Sequence, residues 1–275
     1  MKTILVPTDF SKISRNAIDY AVEIAKLTKS RLVLFHVFHV SMINVDSPFA
    51  VPSLVEIGKD CLEKLKKIEQ EIHFKHDRNI TIQCVCKCGF AVDEINQFIK
   101  DTHVDLVVMG THGAGYLAEK FTGSVTTSLM RKATCPVLAI DQHVKFKTIR
   151  KIVLACDYHE TNSSSVFDPL KEFAQLFESH VYVLNVVREL EMASNVSKTM
   201  AGIRLEHSLR PISHSFHYKE SENVVEGIND FVKEKMIDLV VMIPHMHTVL
   251  HNIFQEPITK RMALHSQVPL LSLHP

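Results

Sequence analysis

The stretch Asp105-Leu-Val-Val-Met-Gly110-Thr-His-Gly113 decides the fold, because it joins a short aliphatic run directly to a glycine-rich segment. Such a run, followed at once by glycine, is typical of a parallel strand that is buried on both faces of a sheet. Half of the chain's eight glycines lie within the fourteen residues 110–123, at Gly110, Gly113, Gly115 and Gly123, and residues 125–132 then follow a helical pattern. The sequence therefore predicts a buried strand, a loop and a helix in succession.

A loop of this kind is suited to phosphate groups. Glycine permits positive φ and close approach of a ligand to the backbone, and a free helix N-terminus offers unpaired N–H groups and the positive end of its dipole. The hydroxyl groups of Ser124 and Thr126 add donors at the helix start, and Ser124 also suits the N-cap position of that helix. The loop is not a Walker A motif, because no Gly-Lys-Ser/Thr follows. Nor is it Gly-x-Gly-x-x-Gly, because Ala118 stands where the last glycine should be.

The aliphatic run returns as Asp238-Leu-Val-Val-Met242, 133 residues later, and belongs to an internal repeat. Residues 92–99 return at 225–232 and residues 135–138 at 268–271 with the same offset, whereas residues 4–10 return at 152–158 and residues 30–37 at 179–186. The sequence therefore predicts two copies of one domain, residues 1–143 and 149–275. A polar and basic connector near residues 143–150 joins them.

Strands and helices alternate within each copy. The first copy predicts strands at 3–8, 31–38, 80–87, 105–110 and 136–140, and helices at 14–28, 54–75, 91–102 and 124–132. Five strands separated by helices predict a doubly wound α/β domain with a parallel sheet, in which ligands bind at the carboxyl ends of the strands. The loops after the first and fourth strands open at that edge, so they can meet over one ligand.

Composition narrows the class of protein. Lys plus Arg equals Asp plus Glu at 31 each in 275 residues, so no net field attracts nucleic acid or an anionic membrane. No apolar run approaches the roughly 20 residues of a membrane span, and the opening residues 1–9 become polar too soon for a signal peptide. The six cysteines lack a disulfide-framework pattern. We expect a cytoplasmic protein.

Three features together make the chain similar to the universal stress protein family. They are the spacing Gly110-x2-Gly113-x9-Gly123-Ser124, the opening Val6-Pro7-Thr8-Asp9 and the closing Cys135-Pro136-Val137-Leu138. The chain resembles the nucleotide-binding branch of the family in a tandem form, strongly for residues 1–141 and more faintly for 150–275. The resemblance implies an adenine nucleotide α-hydrolase-like fold, ATP as the ligand, pairing through the last strand and a role in stress survival.

The resemblance also implies roles for individual residues. It places Pro7, Thr8 and Asp9 beside the adenosine and Val37 against the base. The residues that it implies bind the ribose and phosphates are Gly110, Gly113, Gly123, Ser124, Val125 and Thr126. His112 lies inside the loop, where it either touches a phosphate or faces solvent. Asp9, taken alone, could instead cap the helix that begins near Ser11.

The second copy departs from this pattern. At the offset of 133, Gly110 becomes Ile243, Gly113 becomes Met246, and the pair Gly123-Ser124 becomes Glu256-Pro257. Larger side chains remove the close approach to the backbone, and Glu256 adds a charge that repels phosphate. Asp157 corresponds to Asp9, but its phosphate loop is gone. We expect this copy to bind no ATP and to pair with the first as an internal pseudo-dimer.

Two further clusters have alternative interpretations. Cys84, Cys86 and Cys88 alternate along a predicted strand and so share one face, where they either bind a soft metal, sense redox changes or pack as small hydrophobes. Ten of the seventeen histidines lie in the second copy, at His214-x2-His217 and His245-x-His247-x3-His251 among others. These are either metal ligands or a solvated polar loop. We assign no metal site to either cluster.

These observations predict a nucleotide-dependent stress-response regulator whose first domain binds ATP, with or without Mg²⁺ on the phosphates. A slow ATPase or phosphoryl-transfer enzyme is the competing class, and hydrolysis would require a carboxylate that holds Mg²⁺. The loop has His112 and Glu119 but no evident carboxylate at such a position, so we expect at most weak ATP hydrolysis or autophosphorylation and assign no catalytic residue. A nucleotide-free scaffold is the third class. The sequence is also compatible with a homodimer of the whole chain.

Overall fold

The first half of the chain alternates strands and helices as the sequence predicts. The computed structural model describes residues 1–39, 53–76, 79–111, 124–156, 164–187, 196–243 and 268–274. The first-half elements are β1 (Thr3–Pro7), α1 (Lys12–Thr28), β2 (Arg31–Phe38), α2 (Leu54–Lys75), β3 (Ile82–Cys88), α3 (Ala91–Thr102), β4 (Leu106–Gly110), α4 (Ser124–Lys132) and β5 (Val137–Ile140). Most bounds agree with the predicted ones. α1 begins earlier than predicted because Ser11 is its N-cap.

The second half repeats this order. Its elements are β6 (Lys151–Ala155), a 3₁₀ turn (Ser164–Phe167), α5 (Asp168–Phe177), β7 (His180–Val187), α6 (Val196–Leu209), β8 (His214–Glu220), α7 (Val224–Lys235), β9 (Leu239–Met242) and β10 (Leu270–Ser272). Within these described residues, no helix combines the length and apolar character needed to cross a membrane.

The ten strands form one sheet in the order β3-β2-β1-β4-β5-β10-β9-β6-β7-β8. Neighbouring strands are parallel within each half, while β5 and β10 pair antiparallel, with Leu271 opposite Leu138. Each half therefore has the same doubly wound strand order, and their last strands join the two sheets. The predicted fold class, two tandem doubly wound five-stranded parallel sheets, is confirmed.

Helices cover both faces of the sheet, which explains the nearly continuous aliphatic runs of its central strands. On one face a single apolar cluster passes from the first half into the second beneath α1, α2, α5 and α6. On the other face α3 and α4 cover one cluster and α7 covers another. The cluster beneath α3 and α4, the α3–α4 core, includes Phe35, Ile95 and Leu129.

The internal repeat extends to individual hydrogen bonds. Asp105 Oδ2 accepts the backbone N–H groups of Lys2 and Thr3, both at 2.7 Å, at the start of β1. Asp238 Oδ2, 133 residues later, accepts those of Arg150 and Lys151, both at 2.9 Å, at the start of β6. In each half this carboxylate fixes the first strand beside the fourth.

The connector between the halves is anchored to α1. Asn16 Nδ2 donates to the carbonyl oxygens of Asp141 and Val144, both at 2.8 Å, and Lys145 Nζ donates to Asn16 Oδ1 at 2.8 Å. Phe146 contacts Tyr20 edge to face with ring centroids 5.1 Å apart. The connector is polar and basic in sequence, as expected, but it contributes apolar side chains to the shared core.

Four helices end on a residue in the left-handed region without glycine. The residues are Lys29 (φ 54°), His103 (φ 49°), Glu178 (φ 52°) and Met236 (φ 54°), which occupy equivalent positions in the two halves. A side chain in this conformation costs roughly 1–2 kcal/mol, and glycine removes that cost. The chain thus stores small, local strain at the ends of α1, α3, α5 and α7.

Two histidines lie on the β7–β8 surface beneath α7. Ser215 Oγ is 2.8 Å from both His180 Nε2 and His217 Nε2, and Ser213 Oγ is 2.8 Å from His180 Nδ1. Burial lowers the pKa of His180, and His214 lowers it further. Burial also lowers the pKa of His217, with additional effects from Lys235 and His180. The fold therefore favours both rings in the neutral form.

Relief of the strain at Met236 should stabilise the protein. We expect Met236→Gly to raise the free energy of unfolding by about 0.5–1 kcal/mol, since the gain from removing Cβ exceeds the extra chain entropy of glycine. Lys233→Gly, within the same helix, should lower it by about 1 kcal/mol. Urea unfolding measures both, and a destabilised Met236→Gly variant would contradict the assigned backbone conformation.

Acid should destabilise the fold through His180 and His217. Their folded-state pKa values are lowered, so the unfolded chain binds more protons below about pH 6.5. Stability is then lost as pH falls from that value through the lower folded-state values. We expect His217→Gln to flatten the fall in unfolding free energy between pH 7.5 and 5.5, relative to His207→Gln on the exposed surface of α6. An equal slope in both variants would refute this assignment.

Candidate functional site

Five of the predicted ligand residues lie at one edge of the first half's sheet. β1 lies between β2 and β4 and is parallel to both, with Pro7 opposite Phe35. The carboxyl ends of these three strands therefore open at the same edge. Pro7, Thr8 and Asp9 leave β1 there, Val37 lies near the end of β2, and Gly110 ends β4.

Hydroxyl groups hold the turn after β1. Thr8 Oγ1 lies 2.9 Å from Ser14 Oγ and accepts the backbone N–H of Phe10 at 3.1 Å. Ser11 Oγ accepts the N–H of Ser14 at 3.1 Å and so caps α1. The alternative in which Asp9 is the helix cap is therefore not observed. The Asp9 carboxylate instead accepts the N–H of Ser11 at 3.1 Å and remains exposed at the edge of the sheet.

Backbone strain marks the same turn. Phe10 has φ 65°, a value that bulky residues rarely adopt and that costs about 1–3 kcal/mol. Such strain persists only where the surroundings fix it, as the Thr8 hydroxyl does here. Phe10 lies between the end of β1 and the start of α1, directly after the exposed Asp9.

The end of β2 supplies an apolar wall. Val37 is half-buried and packs against the α3–α4 core. On the opposite face of β2, His36 Nδ1 donates to the Thr8 carbonyl oxygen at 2.7 Å, and Thr8 N donates to Phe35 O at 2.8 Å. These bonds hold the β1 turn against β2, and Val37 lies on the other face of β2, where it can contact a ligand.

The start of α4 is tied to the end of β4. Thr126 is 2% exposed, and its hydroxyl donates to the Gly110 carbonyl oxygen at 2.8 Å. Its single hydroxyl proton is therefore used inside the protein, which leaves its backbone N–H as the group that it can offer to a ligand. Val125 is half-buried against the α3–α4 core. The first turn of α4 has no acidic residue, so the positive end of its dipole is not offset locally.

Several predicted positions lie outside the described residues. They are His112, Gly113 and Gly123 of the glycine loop and Asp157, Met246, Glu256 and Pro257 of the second half. Ser124 is the first residue of α4, and only its backbone is described. Of the second half's replacements, Ile243 follows β9 at the position of Gly110, is 2% exposed and packs into the large shared core.

The Thr8, Ser11 and Ser14 network was missed from the sequence. The sequence does indicate the cap: Ser11 and Ser14 are three residues apart at the start of an apolar helical pattern, which is the spacing of an N-cap residue and its partner. The partnership of Thr8 with Ser14 and the contact of His36 with the β1 turn depend on tertiary structure.

Two of the three cysteines of β3 pack as small hydrophobes. Cys84 and Cys86 pack against the core beneath α2, whereas Cys88 is exposed. Burial, with contributions from Glu69 for Cys84 and from Cys61 for Cys86, raises the pKa of each thiol to about 12. Within the described residues, no three Cys, His, Asp or Glu side chains lie together as a metal site requires.

His214 and His217, one of the two histidine groups noted in the sequence of the second half, are engaged in local contacts. His214 Nε2 lies 3.1 Å from Glu206 Oε2, and its Nδ1 donates to the Ile212 carbonyl oxygen at 2.9 Å. His217 lies on the other face of β8 from His214, where its Nε2 is 2.8 Å from Ser215 Oγ. The cluster of His245, His247 and His251 lies outside the described residues.

Comparison with known proteins gives a consistent assignment. The model of the universal stress protein family matches residues 1–141. Two universal stress proteins of Methanocaldococcus jannaschii are 27% and 32% identical to the chain over 158 and 149 residues. The matches cover 50% and 52% of this chain but 94% and 84% of those relatives, so the chain is more than one and a half times their length.

Solved structures resemble the chain over nearly its whole length. A universal stress protein from Archaeoglobus fulgidus has a TM-score of 0.68 at 16% identity, and the match covers 98% of this chain and 94% of that one. A functionally unknown protein from Pseudomonas aeruginosa has a TM-score of 0.64 at 15% identity, covering 100% and 93%. At these identities the likeness shows the fold, here the tandem arrangement. With the family match across half of its residues, the chain belongs to the universal stress protein family.

Proposed function

We propose that the first half of the chain binds ATP at the carboxyl edge of β1, β2 and β4. The observation that carries this proposal is the convergence of the β1 turn, the end of β2 and the start of α4 on that edge. The glycine pattern of the sequence begins there, at Gly110, and the family match covers the same half.

The adenosine would lie between the β1 turn and β2. Val37 presents a half-buried apolar surface to the base, and the Asp9 carboxylate can accept hydrogen bonds from ribose hydroxyls. Pro7 and Thr8 fix the backbone that carries Asp9. Because the Thr8 hydroxyl is bonded to Ser14 and to the Phe10 N–H, it acts through the shape of the turn.

The phosphates would lie at the glycine loop and the start of α4. Gly110, Gly113 and Gly123 would allow close approach, and the first-turn N–H groups of Ser124, Val125 and Thr126 would donate to the phosphate oxygens. His112 is the side chain of the loop that would contact a phosphate. Mg²⁺ would accompany the nucleotide on its phosphate oxygens and keep several waters, as this ion usually does.

The second half is proposed to be silent toward nucleotide. Ile243 replaces Gly110 with a buried side chain that already fills part of the core. Glu256 and Pro257 replace the loop's last glycine and the serine at the helix start, so both a phosphate donor and the close approach are removed. The role of this half is to pair with the first through β5 and β10.

Pairing gives the second half a route to sense occupancy of the site. Ser272 Oγ and His274 Nε2 both donate to the Met130 carbonyl oxygen of α4 at 2.9 Å. One end of α4 therefore faces the proposed phosphates, and the other end is bonded to the second half. We infer a cytoplasmic regulator in which ATP orders the loop and α4 transmits this change to a protein-facing surface.

Direct binding tests the proposal. Isothermal titration of the full chain with Mg²⁺-ATP should give one site per chain, and Gly113→Val should lower the affinity at least tenfold because a β-branched side chain blocks close approach of the phosphates. Gly202→Val is the matched control, since a Cβ at Gly202 meets no atom within 4 Å. It should bind ATP as the wild-type chain does.

Two results would overturn parts of this proposal. Absence of ATP binding by the wild-type chain would remove the nucleotide function, and two sites per chain would show that the second half is active. Sustained phosphate release that is lost in Gly123→Val would instead identify a slow ATPase.

A further inference from the structure

An exposed pair of aromatic rings lies beside the proposed base site. The rings of His39 and Phe90 are stacked, with centroids 4.8 Å apart and planes inclined by 28°. His39 follows β2, and Phe90 lies between β3 and α3. Phe90 is 66% exposed, although burial of an apolar ring is the usual source of its contribution to stability. The contacts among the described residues give no structural reason for this placement.

Phe90 also occupies a position where another residue type would serve the fold better. It is the N-cap of α3, and its side chain makes no capping hydrogen bond. Serine, threonine, aspartate and asparagine are favoured at this position because their side chains accept the free N–H groups of the first turn. A phenylalanine here forgoes that stabilisation.

Strand register places this ring pair next to Val37. Phe38 lies opposite Cys88, and Gly89 N donates to Phe38 O at 3.0 Å, so Phe90 emerges beside His39. Side chains two residues apart on a strand share a face, with Cα atoms about 7 Å apart. His39 follows the last residue of β2, and its stacking on Phe90 at the start of α3 puts it on the side where Val37 packs against the α3–α4 core, so the ring pair lies outward of Val37.

We infer that the Phe90–His39 pair stacks on the nucleotide base and selects purine nucleotides over pyrimidine nucleotides. This inference rests on the proposed function and adds a base-recognition group to that site. If the inner side of the base contacts Val37, the outer side of the base lies next to the Phe90–His39 pair. The larger π-face of a purine covers more of two stacked rings than a pyrimidine does, and base–aromatic stacking strengthens binding about tenfold or more.

Replacement of Phe90 separates a ligand role from a structural one. F90S supplies a good N-cap, so its free energy of unfolding should equal or exceed that of the wild type, while its ATP affinity falls about tenfold. F90A should lose a similar factor. F74A is the matched control, because Phe74 is 93% exposed near the end of α2, and α2 runs antiparallel to the strands toward the opposite edge of the sheet.

Ligand comparison identifies the base as the contact. The wild-type chain should prefer ATP to CTP about tenfold, and F90S should lose most of that preference. Inorganic triphosphate should bind the wild type and F90S equally, because its contacts do not involve the ring. The chain has no tryptophan, so F90W and F74W each carry a single tryptophan, whose fluorescence can be excited apart from that of the five tyrosines. ATP should change the fluorescence of F90W saturably and leave that of F74W unchanged.

The outcomes distinguish this inference from the function on which it rests. If the wild-type chain binds no ATP by calorimetry, the proposed function fails and base stacking fails with it. If the wild type binds ATP but F90S, F90A and F74A bind it equally, the stacking inference is overturned while ATP binding stands. A tenfold loss in F90S with unchanged binding of inorganic triphosphate supports the inference.

Discussion

Pairing of the last strand of each half is the constraint on which the rest of the structure depends. A five-stranded sheet that ended at β5 or β10 would expose unpaired backbone groups and invite association with other chains. The antiparallel match of Leu271 with Leu138 satisfies both edges at once, and the core beneath α1, α2, α5 and α6 continues across the junction. Because the partner is attached to the same chain, this pairing does not depend on protein concentration.

This constraint allows the two halves to diverge. The second half must keep the residues that maintain the shared sheet, and Asp238 still fixes β6 as Asp105 fixes β1. It is under no such requirement at the carboxyl edge, where Ile243 stands in place of Gly110 and is buried in the core. The second half thus retains the architecture and its contact with α4, through Ser272 and Met130, whereas the glycines that correspond to the phosphate loop are replaced in its sequence.

Local pattern in the sequence predicted most of the fold. The aliphatic runs and the repeat predicted the alternation of strands and helices, the doubly wound class of the sheet and the observed bounds of α2, α3, α4 and β2. What it could not predict depends on tertiary contacts. The Thr126 hydroxyl was expected to face phosphate, yet it is bonded to Gly110, sixteen positions earlier in the chain. The left-handed Phe10 and the stacking of His39 on Phe90 arise from neighbouring elements that local pattern does not specify.

The central claim is that one chain carries one working nucleotide site and one degenerate copy of it. Native mass spectrometry of the full-length chain, equilibrated with saturating Mg²⁺-ATP, measures this directly by counting nucleotides on each monomer. The account predicts that a single ATP binds each chain and that no second ATP follows at higher concentration. A chain that stays free of nucleotide, or one that takes up two, would contradict it.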